Sequence, residues 1–239
     1  MDILHQPERV IIEYNGMWLV SNFEKTQLPT GWGVEQQITC VDGSTFQMYM
    51  ANMKSIFMDM IKNTDMVIFN RCKKEDPLPT YRRGIKVANQ RAEVIFEDEE
   101  GELGDIFQDE MPFDMNAPVI EILPEDYGIW FVDAMDHPEN YEGKTVKFKA
   151  RVMKPRGMGS KFFVPGRTAM TCCADDTTFL GYVCKSAYAP KLTPGEWVEV
   201  TAKVGIEKRN EYQGEEGIVL AAEHVEQCDP LEDEMVYFN

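Results

Sequence analysis

Residues 145–153 read TVKFKARVM, and this stretch decides the fold of the second half of the chain. Apolar residues alternate there with lysine and arginine, so one face of the segment is apolar and the other is basic. A period of two is typical of a β-strand with one buried face. Similar short runs follow between Gly- and Pro-containing turns, at residues 162–173, 178–184, 197–206 and 217–225. Five such strands predict a small antiparallel barrel of OB type.

The second and third of these strands form a predicted hairpin that contains RTAMTCCADDTTF at residues 167–179. Its adjacent thiols, Cys172 and Cys173, have three open interpretations. They are small apolar side chains packed in the barrel wall, ligands of a soft metal ion such as zinc, or a redox pair. Neither a CxxC spacing nor a flanking cationic pair supports the redox interpretation.

The geometry of the predicted hairpin constrains a metal site. A two-residue turn at the Asp-Asp pair places Cys172 opposite Phe179, and Cys184 opposite Arg167. Successive strand residues point to opposite faces, so the two adjacent thiols chelate one ion only if the strand bulges there. Zinc takes four ligands, and further donors are therefore needed. The candidate metal ligands are Cys172, Cys173, Asp175 and Asp176, with His224 or a partner chain as additional donors.

Two other polar side chains of the predicted barrel have alternative roles. Arg167 is either a strand-end residue in a salt bridge with Asp175 or Asp176, or an anion contact beside the cysteines. His224 is either a structural histidine within a strand or a ligand.

The first half of the chain has a different pattern. Runs rich in β-branched and other apolar residues predict strands at residues 9–14, 36–41, 65–70 and 92–96. From Phe46 onward, apolar residues recur every three to four positions, which predicts an amphipathic helix, and residues 80–88 predict a second, basic-faced helix. Strands alternating with helices indicate a parallel, doubly wound sheet, whose ligands bind at the carboxyl ends of the strands.

RVIIEYNG, QQITCVDGSTF, DMVIFN and ANQRAEVIF, within residues 7–97, resemble the second half of the G domain of CobW-type GTPases, a family linked to metal insertion and zinc or cobalt trafficking. The resemblance places the end of the Walker B strand, near magnesium and the γ-phosphate, at Glu13 and Gly16. It places the asparagine of the guanine-reading NKxD motif at Asn70, whereas Lys73 replaces that motif's aspartate.

The sequence departs from this family in its phosphate-binding part. No GxxxxGK[ST] motif occurs, so the loop that holds the β- and γ-phosphates is missing. The resemblance therefore implies GTP and magnesium binding only if the missing P-loop half is supplied. By itself the chain is expected not to hydrolyse GTP.

PENYEGKTVKFKARV, RTAMTCCADD, GEWVEVTAKV and MVYFN resemble the C-terminal domain of YcgQ-like bacterial proteins, whose function is not established and which are thought to accompany a permease. This resemblance covers residues 117–239. It implies a docking partner, either a permease or another protein chain. Those relatives carry membrane spans ahead of the domain, but no apolar run of this sequence approaches about 18 residues.

The two halves are separated by an acidic stretch. Residues 97–114 contain nine acidic residues and no basic one, which predicts a solvated linker. We therefore divide the chain into a partial CobW-like domain at 1–98, an acidic linker at 99–116 and an OB-like domain at 117–239. The predicted fold class is α/β plus all-β, with a partial doubly wound parallel sheet followed by a small OB-like antiparallel barrel.

Charge and cysteine usage restrict partners and location. The 239 residues include 41 acidic and 24 basic side chains, for a net charge of −17. This excess predicts no nucleic-acid partner, because affinity for phosphate backbones comes from Lys and Arg. Six cysteines without a disulfide spacing, and no signal segment, predict a cytoplasmic, reduced protein. A parallel sheet without its P-loop strand has an unpaired edge, which predicts homo-oligomers.

These patterns lead to two functional hypotheses. In the first, the chain is a metal-homeostasis accessory protein related to CobW-type metallochaperones, in which Cys172 and Cys173 face the metal, a partner, or both, with zinc as the candidate ion. In the second, it is a non-enzymatic interaction module that docks a permease or another chain through the OB-like domain, and the thiols belong to the core.

Overall fold

The computed structural model describes residues 7–104, 111–171 and 177–236, which form an α/β unit followed by a β-barrel unit. The α/β unit contains α1 (Val20–Glu24), β1 (Ile38–Asp42), α2 (Phe46–Ile61), β2 (Met66–Asn70), α3 (Leu78–Ala88) and β3 (Glu93–Phe96). Its strands are parallel and lie in the order β1, β2, β3. Parallel neighbours need a crossover, which α2 and α3 provide. The predicted α/β class and both predicted helices are confirmed.

The strand predicted at residues 9–14 is wrong. This segment forms no strand, and Ile11 and Ile12 are 91% and 57% exposed. The chain turns just after it, where the Asn15 side chain accepts a hydrogen bond from the Met17 amide at 2.9 Å. The turn leads into α1, which lies along α2 rather than beside β1. A short apolar run therefore predicted a strand where local turn chemistry directs the chain elsewhere.

Aromatic side chains fill the core of the α/β unit. Phe46, at the start of α2, has its ring centroid 4.9 Å from that of Phe69 and 4.7 Å from that of Tyr81. Phe69 also stacks on Phe96 of β3 at 4.8 Å. Such pairs add about 1 kcal/mol each beyond their buried area. Since alternate residues of β1 and β2 are buried, this core lies on one face of the sheet.

The second unit is built around a closed five-stranded barrel. Its elements are β4 (Ile120–Glu121), α4 (Tyr127–Asp136), β5 (Thr145–Met153), β6 (Phe162–Met170), β7 (Thr177–Gly181), β8 (Val183–Lys185), β9 (Trp197–Lys208), β10 (Glu216–Gln227) and β11 (Met235–Val236). The barrel order is β5, β6, β8, β10, β9, and β5 pairs with both β6 and β9 to close it. All barrel pairings are antiparallel except that of β8 with β10. The predicted OB-like barrel is confirmed.

The register of the predicted hairpin is wrong. β6 pairs with β7 so that Arg167 lies opposite Leu180 and Thr168 opposite Phe179, while Cys184 lies opposite Phe163. The prediction assumed a tight turn and one continuous returning strand. Instead, the ladder ends at Met170 and Thr177, and the returning chain is divided into β7 and β8.

A glycine pair explains why the returning chain divides. Gly166 lies opposite Gly181, and a Cβ on Gly166 would lie 2.3 Å from the Leu180 carbonyl oxygen. A Cβ on Gly181 would lie 2.7 Å from the Pro165 carbonyl oxygen. The two backbones therefore approach too closely for side chains, and the ladder bends there as the barrel closes.

Burial alternates from residue to residue along β5, as the sequence predicts. Every second residue of β5, from Val146 to Val152, is buried, and the lysines between them face outward. Trp130 of α4 covers the barrel interior, with its ring 4.8 Å from Phe148 and 5.6 Å from Tyr182. Helix α4 thus plugs the barrel.

The two units pack against each other through α3 and α4. Asp136, at the end of α4, pairs with Arg82 and lies 3.6 Å from Lys86 Nζ, both on α3. Burial lowers the pKa of Lys86, and the Asp136 charge opposes that shift. Val87, on the same helix, belongs to the hydrophobic core of the barrel unit. A mixed ionic and apolar contact therefore joins the units.

Most described residues of the predicted linker are exposed, but three apolar side chains within it pack against the two cores. Leu103 is buried in the core of the α/β unit, and its amide donates to the Phe96 carbonyl at 2.8 Å. Phe113 and Met115 pack against the barrel core. Apolar residues scattered among the acids therefore anchor both ends, although charge dominates the composition.

We expect Ile61→Ala to destabilise the protein by about 3 kcal/mol, because Ile61 is fully buried at the end of α2 and its removal leaves a cavity. Met48→Ala on the same helix is the control, since Met48 is 65% exposed and its removal should cost less than about 0.5 kcal/mol. Urea unfolding followed by circular dichroism measures both. Equal midpoints for the two variants would contradict this core.

Candidate functional site

The carboxyl ends of β1 and β2 meet at one edge of the parallel sheet, where Asp42 lies opposite Asn70. The Asp42 carboxylate accepts hydrogen bonds from the Ser44 amide and hydroxyl at 3.0 and 2.6 Å. Its other oxygen lies 2.6 Å from Arg71 Nη1. The Ser44 hydroxyl, and then Arg71, lower the pKa of Asp42. This carboxylate is therefore ionised and already bound by side chains of its own chain.

The three nucleotide-binding candidates lie on different parts of the α/β unit. Asn70 ends β2, and its buried Oδ1 has no hydrogen-bond partner among the described residues. Gly16 lies before α1, where its carbonyl accepts a hydrogen bond from the Tyr49 hydroxyl of α2 at 3.3 Å. Glu13 is exposed in the segment before it. No hydrogen bond joins these three residues in the described part of the chain.

Cys72 follows this edge and is a packing residue. It is 4% exposed, and a Cβ on Gly43 would lie 2.7 Å from its Sγ, so the thiol fills the space beside that glycine. Burial, together with the Asp76 charge, raises the pKa of Cys72 to about 11. The thiol therefore stays protonated at neutral pH and is a poor metal ligand.

Arg167 lies inside the barrel unit rather than at an exposed strand end. It is the sixth residue of β6 and is 2% exposed. Its guanidinium donates to the Pro124 carbonyl and, at 3.0 Å each, to the carbonyls of Asp233 and Met235. It also lies 5.6 Å from the ring centroid of Tyr127. Burial lowers the pKa of Arg167. Its described partners make Arg167 a clamp that holds the C-terminal strand β11 against β6.

The predicted metal ligands Cys172, Cys173, Asp175 and Asp176 lie outside the described residues. The structure shows that the β6–β7 ladder extends to the pair Met170 and Thr177, and the four residues lie between these two in sequence. His224 is exposed on β10, with Nε2 3.4 Å from a carboxylate oxygen of Glu226. Within the described residues, no three His, Cys, Asp or Glu side chains are grouped so as to hold a metal ion.

Cys184 also belongs to the barrel core. It is fully buried, and burial raises the pKa of its thiol to about 12. Cys40 is exposed on β1, and Cys228 is half-buried after β10. The cysteines that the structure describes are thus distributed over both units and do not form a cluster.

A polar groove lies where β7 meets the α/β unit. It has a volume of about 510 Å³ and is lined by the ends of α2 and α3, the turns after them and Thr178. Asn89 shapes it by donating to the carbonyls of Ile61 and Thr64 at 2.8 Å each. Thr178 is the second residue of β7, so the groove begins close to the hairpin connection that carries the paired thiols.

The total charge of the chain conceals a second candidate site. Residues 143–195 contain ten of the 24 basic residues and two of the 41 acidic ones. The remainder carries 14 basic and 39 acidic residues. A count of charges by segment, rather than over the whole chain, is the signal that reveals this separation.

Comparison with known families assigns the second unit. The family model described as DUF1980 C-terminal domain matches residues 102–238. No curated protein matches the chain significantly. Nothing found supports the CobW-like resemblance of the first half.

Solved structures show only weak similarity. The mitochondrial single-stranded DNA binding protein Rim1 from S. cerevisiae matches with 10% identity and a TM-score of 0.23, over 37% of this chain and 97% of that one. Aspartyl-tRNA synthetase from Entamoeba histolytica matches with 15% identity and a TM-score of 0.26, over 50% of this chain and 27% of that one. A putative aspartyl-tRNA synthetase from Leishmania major Friedlin matches with 17% identity and a TM-score of 0.27, over 49% and 22%. The OB-like assignment therefore depends on the strand order of the barrel.

Helices occur in both units within residues 7–104, 111–171 and 177–236. None of the helices there combines the length and the apolar character needed to span a bilayer.

We expect Arg167→Leu to destabilise the protein by about 2 kcal/mol, because it leaves the carbonyls of Pro124, Asp233 and Met235 without their donor. Hydrogen exchange at Met235 and Val236 should become faster as β11 loosens. Arg151→Leu on the adjacent strand β5 is the control, since its ion pair with Glu234 is exposed and long, at 3.7 Å. Unchanged exchange at β11 in Arg167→Leu would contradict the clamp.

Alkaline pH should weaken the fold through Cys184. Its folded-state pKa of about 12 exceeds the ordinary value of 9.0, so the unfolded chain loses this proton first as pH rises. The contribution of Cys184 to the free energy of unfolding is therefore complete below pH 9 and is lost as pH rises from 9 toward 12, by on the order of 1 kcal/mol per pH unit. In urea titrations over this range, Cys184→Ala should show a correspondingly shallower slope and Cys40→Ala an unchanged one. Parallel slopes for wild type and Cys184→Ala would contradict this account.

Proposed function

The chain belongs to the DUF1980 C-terminal domain family, and we propose that it is a metal-homeostasis accessory protein whose ion binds at the β6–β7 connection. The candidate ion is Zn²⁺, and the candidate ligands are Cys172, Cys173, Asp175 and Asp176. The observation that carries this proposal is the end of the β6–β7 ladder at Met170 and Thr177.

The ladder supports the proposal because its last pair, Met170 and Thr177, brackets in sequence the six residues that include all four donors. Between Cys172 and Asp176 the chain spans at most about 14 Å when fully extended, and less in any turn. The four side chains are thus within the distance over which a turn surrounds a single ion. Thiolates and carboxylates are ligands that Zn²⁺ accepts, and four ligands complete its usual tetrahedral shell.

The other cysteines support the same choice. Cys72 and Cys184 are buried with raised thiol pKa values, so they are unsuited to ligation. Cys40 is exposed on the other unit of the chain. Adjacent thiols in the hairpin connection therefore provide the densest group of soft donors that this sequence offers.

The proposal includes nucleotide binding only on the condition that another chain supplies the phosphate-binding half. The buried Oδ1 of Asn70 has no hydrogen-bond partner among the described residues, so this amide is able to bind a ligand. The neighbouring Asp42 carboxylate already accepts hydrogen bonds from Ser44 and Arg71. The sequence contains no phosphate-binding loop. We therefore propose that Glu13, Gly16 and Asn70 contact GTP and magnesium only if that half is supplied by another chain, and that this chain alone does not hydrolyse GTP.

A second candidate function is non-enzymatic docking of a permease or another protein chain through the barrel. The observation that favours it is the separation of charge, since residues 143–195 carry ten basic and two acidic side chains, whereas residues 196–236 of the same unit carry three and 12. Here the paired thiols need not be reactive. Alkylation by a small reagent separates the two functions, because accessible thiols fit metal handling and protected thiols fit docking alone.

We expect one equivalent of Co²⁺, used as a spectroscopic substitute for Zn²⁺, to give thiolate charge-transfer absorption that excess Zn²⁺ removes. Cys172→Ser with Cys173→Ser should abolish the signal, because the soft donors are gone. Cys40→Ser, which removes an exposed thiol elsewhere, is the matched control and should leave the signal intact. Absence of binding, or equal binding by the double variant, would reject the metal function.

A further inference from the structure

Five basic residues form one surface at an end of the barrel, of which four are exposed and one, Lys154, is half-buried. We name this group the basic surface, and it consists of Lys154, Arg156, Lys161, Lys185 and Lys191. The first three lie in the loop between β5 and β6, and the other two lie at the end of β8 and in the turn after it. Neither residues 154–161 nor residues 185–191 contain an acidic side chain.

Direct contacts hold these two segments together. Lys154 Nζ donates to the Leu192 carbonyl at 2.6 Å, which links the loop to the turn. At the other end of the loop, the Ser186 amide donates to the Lys161 carbonyl at 2.9 Å. Phe162 pairs with Lys185 between β6 and β8. The five cations therefore belong to one continuous region of the barrel surface.

Among the described residues, the exposed members of the basic surface lack counter-charges, unlike two cations of strand β5. On β5, Lys147 lies 2.9 Å from Glu199 and Arg151 lies 3.7 Å from Glu234. By contrast, Arg156, Lys161, Lys185 and Lys191 are exposed and make no ion pair within the part of the chain that the structure describes. Like charges left together without partners attract an external anion.

Nearby acidic groups do not neutralise this surface. Glu211, in the adjoining loop after β9, lies 3.0 Å from Arg209, whose guanidinium covers the Phe162 ring at 4.4 Å. Glu196 accepts a hydrogen bond from the Thr193 amide at 2.7 Å. Tyr188, 44% exposed between the two lysines of the turn, adds an aromatic contact. The surface thus offers four exposed cations and one aromatic ring to a partner.

We propose that the basic surface binds an Asp- and Glu-rich segment of another protein chain. This inference rests on the docking function and not on the metal function. A short acidic segment matches a local patch, whereas residues 99–142 carry 14 acidic and no basic side chains and residues 196–236 carry 12 acidic and three basic ones. A long nucleic acid or an anionic bilayer would extend over those acidic surfaces and be repelled.

The test uses the full chain and a fluorescein-labelled peptide of alternating Glu and Gly, with binding followed by fluorescence anisotropy. Lys161→Glu with Lys185→Glu reverses two exposed charges and should weaken binding by at least about tenfold. The matched control, Lys203→Glu with Lys208→Glu, makes the same charge change at exposed sites on β9 and should alter the affinity by less than about twofold. Added salt should weaken wild-type binding, because the contacts are exposed.

Other results overturn the inference in distinguishable ways. If both double variants lower the peptide affinity equally, binding depends only on the total charge of the protein, and the basic surface is rejected as the site. Tighter binding of a single-stranded oligonucleotide, or of phosphatidylserine vesicles, would assign the surface to a different partner. Peptide binding that only the β9 variant removes would reject this surface and leave docking intact. If the peptide, the oligonucleotide and the vesicles all fail to bind, both the role of the basic surface and the docking function are rejected.

Discussion

Strand β6 is the constraint on which the barrel depends, because it pairs with β5, β7, β8 and β11. A strand has only two hydrogen-bonding edges, so four neighbours require the ladder to change partners along its length. The close approach at Gly166 and Gly181 permits that change. One residue further on, Arg167 turns inward and fixes β11 with a buried guanidinium. Barrel closure and attachment of the C-terminal strand are therefore decided within two consecutive residues.

The same strand relates the barrel to the α/β unit. Its hairpin partner β7 reaches the groove beside α3, while α3 itself holds α4, the plug of the barrel, through Asp136. A shift of α3 would therefore move both the plug and the side of the groove. The buried contact of Lys86 with Asp136 resists such a shift, since separating the pair would leave charges in a poorly solvated place.

The sequence was most informative where burial alternates regularly. The pattern of residues 145–153 predicted β5 with its observed bounds, and the Met-rich stripe after Phe46 predicted α2. It was misleading at residues 9–14, where an apolar run forms no strand, and at Arg167, where a charged residue suggested an exposed strand end. Periodicity reports which face of an element is buried. It does not report which backbone carbonyls converge on a buried guanidinium, because these come from residues distant in the chain.

The two proposed sites lie at opposite ends of β6. The basic surface adjoins the start of the strand at Phe162, and the connection with the paired thiols follows its end at Met170. Nine residues of β-strand separate these ends by about 27 Å. A partner that contacts only the basic surface is therefore bound at the opposite end of β6 from Met170. The distance also exceeds the Debye length of about 8 Å at physiological salt, so charge bound at one end has little direct electrostatic effect at the other. Communication between them would have to pass through β6, whose position Arg167 fixes.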